Sequence, residues 1–446
     1  MGDRPIGRMG NIMMQSKIIS CAGALALAVL VFCAPNGWSQ TLQVIYNFGG
    51  PGNGSSLPPA NPYAGIVFDG QGNLYGTTEN GGLVYTPCNG CGTVYELSPN
   101  GSGGWNESTL YAFEPFSDGG LPTAPVVLDR FANIYGMTNC PQDCFYGGGG
   151  EVFKLAHGSW TISDLYSAWE YSGCTPGYDY GTGGMVLCSV AFDHSSHLYG
   201  STVIGGNMGS DCNKGCGQVF VLGQISVLSW YYIVVHDFAD AGSDGRFPQG
   251  LLNFDADNNI YGTTGAGGSA NHGTVYMLTP NRDREGWSET LLYSFQGGTS
   301  DGANPIAGVV LDAAGNVYGT TSEGGSAGLG TVYMLTPSNG AWTETLLYSF
   351  QGGGDASTPN SSLSFDAAGN LYGTAGGGAD NQGTIFKLTP SGGHWTESVV
   401  HTFTGGADGG QPFGGVTIDS SGNLYGTASI GGTYGQTGGV AFEITP

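Results

Sequence analysis

The sequence predicts an all-β chain, a seven-bladed β-propeller of four-stranded antiparallel blades whose ring is closed by a strand from the N-terminus. Three observations predict it. A motif of asparagine or a similar residue, an aliphatic residue, Tyr and Gly occurs seven times, its tyrosines being Tyr75, Tyr135, Tyr199, Tyr261, Tyr318, Tyr372 and Tyr425. Their separations of 60, 64, 62, 57, 54 and 53 residues define a repeat whose loops vary in length. Composition agrees: 84 glycines and only 10% charged residues, punctuated by 24 tyrosines and 20 phenylalanines, suit many short strands joined by tight turns. Finally, the last repeat lacks one strand, and a segment resembling that strand stands before the first.

Taken in chain order, residues 1–39 read as an export signal. Lys17 precedes the apolar run Ile18 to Cys33, shorter than the ~20 residues a membrane-spanning helix needs. Gly37-Trp38-Ser39 offers a small-x-small cleavage site before Gln40, and Ala34 offers another. Residues 40–446 are then expected to form one propeller domain. Three of the ten basic residues and one of the 34 acidic ones lie before residue 40, leaving 7 against 33 and a net charge of −26. Such a field repels nucleic acid and anionic headgroups, so neither is expected as a partner. No second apolar segment is long enough to span a membrane, and a monomer is expected.

Next comes "TLQVIYNF", Thr41 to Phe48, which resembles "TETLLYSF" ending at Phe350 and closes no unit of its own. A full unit is clearest from Ala307. Strand a is read as Gly308 to Leu311, strand b as Asn316 to Thr321, strand c as Thr331 to Leu335 and strand d as Trp342 to Phe350. Asp312-Ala-Ala-Gly315 makes the a–b turn, because glycine tolerates positive φ and Asp can bond the turn backbone. Proline after strand c stops the strand, having no N–H for the ladder. The final unit supplies strands a (Gly415 to Ile418), b (Asn423 to Thr427) and c (Val440 to Ile444), then ends. Leu42 to Phe48 is the expected fourth strand, with a bulge or late start because Trp38 lies ten residues before Phe48 instead of eight.

The wording "DAAGNVYGTTSEGG", "GTVYMLTP" and "TLLYSFQGG" resembles the secreted choice-of-anchor tandem repeat GloVer-containing family, with the most specific match in units four to seven. More distantly, "GVVLDAAGNVYGTT" resembles NHL-type and lactonase-like seven-bladed propellers. The first resemblance implies export and a repeat scaffold, and it brings no activity with it.

Positions shared by every unit are read as scaffold. The motif tyrosines and the strand c aromatics Tyr95, Phe153, Phe220, Tyr276, Tyr333, Phe386 and Phe442 are expected between adjacent sheets. His236 and His401 stand where other units have Tyr and read as structural, while His194 and His197 replace turn residues. His272, in a b–c loop, is a candidate ligand contact. The eight cysteines beyond the leader read as four local disulfides: Cys88–Cys91, Cys140–Cys144, Cys174–Cys188 and Cys212–Cys216. In a four-stranded meander the d–a and b–c loops share one face. That face carries recurrent Asp-Gly steps at Asp118, Asp244, Asp301 and Asp408, which turn the chain or, as a ring of carboxylates, collect Ca²⁺. No cofactor is otherwise expected. The d–a insertion of unit three breaks the repeat and presents Trp169, Glu170, Tyr171, Tyr178, Asp179 and Tyr180, which suit carbohydrate or peptide contact or pack as a loop.

The functional expectation is a secreted, non-enzymatic propeller that binds an extracellular carbohydrate or protein on this loop face. The alternatives are a lactonase-like, lyase or hydrolase enzyme with a metal in the central channel, and a purely structural envelope or matrix protein. No catalytic residues are read from the sequence, which has no Ser-His-Asp order with motif support. Fold alone does not choose among these roles.

Overall fold

A computed structural model describes residues 40–445, apart from 54, 85–89, 115–118, 140–149, 168–188, 213–214, 227–228, 241–243 and 282–285. Among the described residues strands dominate, relieved only by a 3₁₀ turn at Gly432–Thr437. Seven antiparallel four-stranded blades form the ring, and Gln40–Pro446 is a compact unit by itself. In the fifth blade strand a is Val310–Leu311, b Val317–Thr321, c Thr331–Ser338 and d Ala341–Ser349. In the last blade Thr417–Ile418, Leu424–Ala428 and Val440–Thr445 are joined by Thr41–Asn47, which runs antiparallel to Val440–Thr445. The ring is therefore closed as the sequence implied. No described helix is long and apolar enough to cross a membrane.

Each residue of the repeated motif has a mechanical task, seen in the fifth blade. Asp312 Oδ1 accepts the backbone N–H groups of Ala314 and Asn316, both at 2.9 Å, which fixes the a–b turn. Its Oδ2 accepts the Asn316 side-chain amide at 2.7 Å and the Tyr318 hydroxyl at 3.0 Å. Gly319 pairs across the sheet with Tyr333, whose ring lies over it: a Cβ on Gly319 would sit 2.3 Å from the Tyr333 oxygen. Thr320 donates to the Ser361 carbonyl of the next blade at 3.3 Å, and Thr321 shares a 2.7 Å bond with Thr331 of strand c. Turn, ring, neighbouring blade and neighbouring strand thus account for successive positions, which is why this wording recurs around the ring.

Between blades the cohesion is aromatic. Phe48, Phe113, Phe238, Phe295, Phe350 and Phe403 end their outer strands fully buried, and each meets the strand c ring of the following blade with centroids 4.9–5.4 Å apart. Phe48 meets Tyr95 of the first blade, so the closing strand also joins this aromatic series. All seven c–d pairings carry a bulge at the same register. It turns an extra apolar residue, such as Leu292 or Leu347, inward to the core.

Two expectations need revision. Strand a is two residues long in the fifth blade, not four, because its beginning leaves the ladder to pack backbone against backbone: a Cβ on Gly308 would meet the Leu251 carbonyl at 2.3 Å. The bulge near the N-terminus does not explain the Trp38 spacing, since every blade has one; counting back from Thr41, paired with Thr445, puts Gln40 where Trp342 stands in the fifth blade.

Candidate functional site

The inner strands of all seven blades surround a central cavity of ≈ 380 Å³. Its described wall includes Ile66, Val127, Val190, Leu251, Val309 and Val416, and none of its described residues carries a titratable side chain. Polarity there comes from amides and hydroxyls. Most of these are occupied: Ser189 donates to the Gly250 carbonyl at 3.2 Å and Ser364 to that of Val416 at 2.6 Å. Asn360 is the exception, its Oδ1 buried without a hydrogen-bond partner. Phe413 lies at the end nearer the d–a loops, and the Tyr63 ring packs beside it with centroids 5.4 Å apart. Both follow a loop-ending proline, Pro412 and Pro62, so the same loop geometry delivers both rings.

A second polar set lies between the outer strands of neighbouring blades. After the outer strands of the fourth and fifth blades the d–a loop aspartate folds back. Asp301 accepts from the Gln296 and Gly302 N–H groups at 2.6 and 2.7 Å and from the Tyr293 hydroxyl at 3.2 Å. Asp355 repeats this with Gln351, Ala356 and Tyr348. The following blade presents a glutamate to each: burial, together with the Asp301 charge, pushes the Glu344 carboxyl up to about 7, and Asp355 does the same to Glu397. Between the third and fourth blades the tyrosine is replaced by His236. Its Nε2 lies 3.8 Å from both Asp244 and Glu289, and the ligand atoms of the three lie within 4.8 Å of one another. Burial alone would lower the His236 pKa, but the two carboxylates reverse this and raise it. Burial and Asp244 raise that of Glu289, against the pull of His236. Among the described residues this is the group of three that can present ligands to one metal ion.

The other sequence candidates are distributed as follows. Trp169, Glu170, Tyr171, Tyr178, Asp179 and Tyr180 lie outside the described residues, as do Asp118, Cys88, Cys140, Cys144, Cys174 and Cys188. Cys212 and Cys216 are joined by a disulfide, and Cys91 is disulfide-bonded. His272 is exposed, and its carbonyl accepts the Asn304 N–H at 2.8 Å. Asp408 accepts from Thr404 N–H at 3.0 Å and bonds His401 Nε2 at 3.1 Å. His197 bonds Asp193 at 2.9 Å, taking the part of the turn asparagine, while His194 faces Asn258 of the next blade.

Sequence reasoning missed Arg246. It is buried between the third and fourth blades, paired with Asp211 at 2.8 Å, with Asp240, and with the Asn271 amide oxygen at 2.5 Å. It ties the d–a loop to the disulfide-closed b–c loop. A lone arginine in a repeat position held by Ala303 or Gly410 elsewhere was the available signal.

No curated protein matches the chain. Solved structures match it distantly. A candidate 6-phosphogluconolactonase from Bacteroides uniformis is 13% identical, covering 81% of this chain and 95% of its own, with a TM-score of 0.49. A counterpart from Bacteroides fragilis is 14% identical over 81% and 94%, at 0.46. The PQQ-bound aldose sugar dehydrogenase of Streptomyces coelicolor is 11% identical over 91% and 98%, at 0.40. At such identities and TM-scores these likenesses say nothing of what this chain acts on. The later blades speak more clearly: residues 283–446, which run to the end of the last blade, match the Gloeobacter/Verrucomicrobia repeat, the family that the wording of units four to seven resembles.

Proposed function

We propose that this is an exported, non-enzymatic propeller that binds an uncharged ligand, best served by a carbohydrate, at the end of the central channel nearer the d–a loops. One observation carries the reading: the ≈ 380 Å³ cavity is walled by apolar side chains with an unpartnered Asn360 oxygen and the Phe413 ring at its lining. Ligand cavities are commonly apolar with a few polar groups that fix orientation. A sugar suits this one because its C–H face packs on Phe413 and Tyr63 while a hydroxyl donates to Asn360. An enzyme with a metal in the channel would need carboxylates or imidazoles there, and the described wall supplies none. The Cys212–Cys216 disulfide supports an oxidising compartment.

The test is thermal unfolding and calorimetry of the Gln40–Pro446 unit with a panel of neutral and charged oligosaccharides. A ligand at about 100 times its Kd stabilises by about 2.7 kcal/mol. We expect a concentration-dependent shift with a neutral glycan, weakened in both Phe413→Ala and Asn360→Ala. Binding that neither variant weakens, or binding of charged ligands alone, would sink the reading.

A further inference from the structure

We propose that His236, Asp244 and Glu289 form a binding site for a first-row divalent cation of the Zn²⁺ kind, bridging the outer strands of the third and fourth blades. The ring supplies its own controls. At the next two interfaces Tyr293 and Tyr348 hold the position of His236, and their hydroxyls donate to Asp301 and Asp355 at 3.2 and 2.9 Å. Between the sixth and seventh blades a histidine returns, but His401 bonds Asp408 directly at 3.1 Å, and the strand register puts Leu42 where the glutamate would be. Only between the third and fourth, among the described residues, do imidazole and both carboxylates coincide.

The geometry there is unlike a finished hydrogen-bond network. The 3.8 Å separations of His236 Nε2 from Asp244 Oδ1 and Glu289 Oε2 exceed hydrogen-bond range. Nε2 and Glu289 Oε1 are buried without a hydrogen-bond partner. A tetrahedral ion with bonds of about 2.1 Å sets its ligand atoms about 3.4 Å apart, so small side-chain rotations complete the site. The side chains are 20%, 16% and 22% exposed, which leaves access for an ion and room for water as the remaining ligand. One imidazole with two carboxylates suits a zinc-type ion, whereas Ca²⁺ takes six to eight oxygens. The supporting shell is already in place. Asp244 is held by the Ala239 and Gly245 N–H groups at 2.8 and 2.7 Å, and the His236 ring stands edge-on to Phe238 with centroids 4.7 Å apart. A cation would neutralise a crowd of acidic oxygens at a seam where the two blades share no sheet.

The experiment is calorimetric titration of the chelator-treated Gln40–Pro446 unit with Zn²⁺, and separately with Ca²⁺, for the wild type and three variants. His236→Tyr recreates the tyrosine–aspartate pair of the neighbouring interfaces, and its melting temperature without metal reports whether it folds. We expect saturable binding of one Zn²⁺, weakened about 100-fold in His236→Tyr, about 10-fold or more in Glu289→Gln, and unchanged in His401→Tyr. Absence of saturable binding in the wild type, undiminished affinity in a folded His236→Tyr, or preference for Ca²⁺ would each overturn the assignment. Should His236→Tyr fail to fold, Glu289→Gln decides alone.

Discussion

Three hydroxyl groups in the core are out of place. Tyr95, Tyr276 and Tyr333 lie fully buried on strand c, and none of their hydroxyls has a hydrogen-bond partner. The same position is Phe in the other four blades, as at Phe153 and Phe386, with the ring over the same glycine. Burying an unsatisfied hydroxyl costs about 1–3 kcal/mol, so Tyr333→Phe should stabilise the fold by about 1 kcal/mol, allowing for the small gap it leaves. The three sites sit in different blades, so the gains should add to about 3 kcal/mol in the triple variant. For a unit of about 400 residues, with unfolding entropy of about 2.1 cal/mol/K per residue, that is a rise of about 4 °C. Scanning calorimetry reads it directly. Tyr318→Phe supplies the contrast, because that hydroxyl donates to Asp312 at 3.0 Å and its loss should destabilise. If the triple variant melts no higher than the wild type, or if Tyr318→Phe and Tyr333→Phe shift it alike, the account of these buried hydroxyls is wrong.

Two further predictions follow from the same geometry. Gly319→Ala would force a Cβ to 2.3 Å from the Tyr333 oxygen and should cost about 2–3 kcal/mol; pairing it with Tyr333→Leu should recover part of that loss, and denaturant unfolding compares the two. Glu344 and Glu397 have folded pKa values of about 7, above their ordinary value of 4.5, so the fold holds protons that the unfolded chain releases, and stability declines as pH rises between those values. Discounted for their partial exposure, replacing each by Gln should stabilise by about 1 kcal/mol at pH 8.5 and leave stability at pH 4 nearly unchanged. Equal effects at the two pH values would argue against the carboxylate crowding described between the blades.

The repeat and its closure were legible because they are written in local chemistry. Asp312, Gly315 and Gly319 announce turn and ring contact within eight residues of one another, and Phe48 follows directly on the last residue of its strand, as Phe350 does. What was not legible is the stagger between blades. His236, Asp244 and Glu289 each occupy a scaffold position, and each alone reads as packing, turn or surface. Their meeting depends on how the outer strand of one blade crosses the next, a distance no repeat alignment encodes. The available signal was a conjunction: a histidine in the tyrosine position, Asp-Gly in the loop after it, and glutamate two residues past the next tryptophan. The opening strand shows a related failure, because Trp38 suggested a register that belongs to Gln40.

The pairing of Thr41–Asn47 with Val440–Thr445 sets a timetable. The first strand of the ring has no partner until the last has been made, so for nearly the whole of its synthesis the ring is an open arc with two bare sheet edges. Such edges recruit other strands. Contacts of this sequence separation also make assembly slow, since the chain must return across its entire length to find its mate. The finished molecule inverts that weakness. Peeling either end opens the aromatic seam at Phe48, whereas neither end can fray alone while its partner holds, so the two termini protect each other.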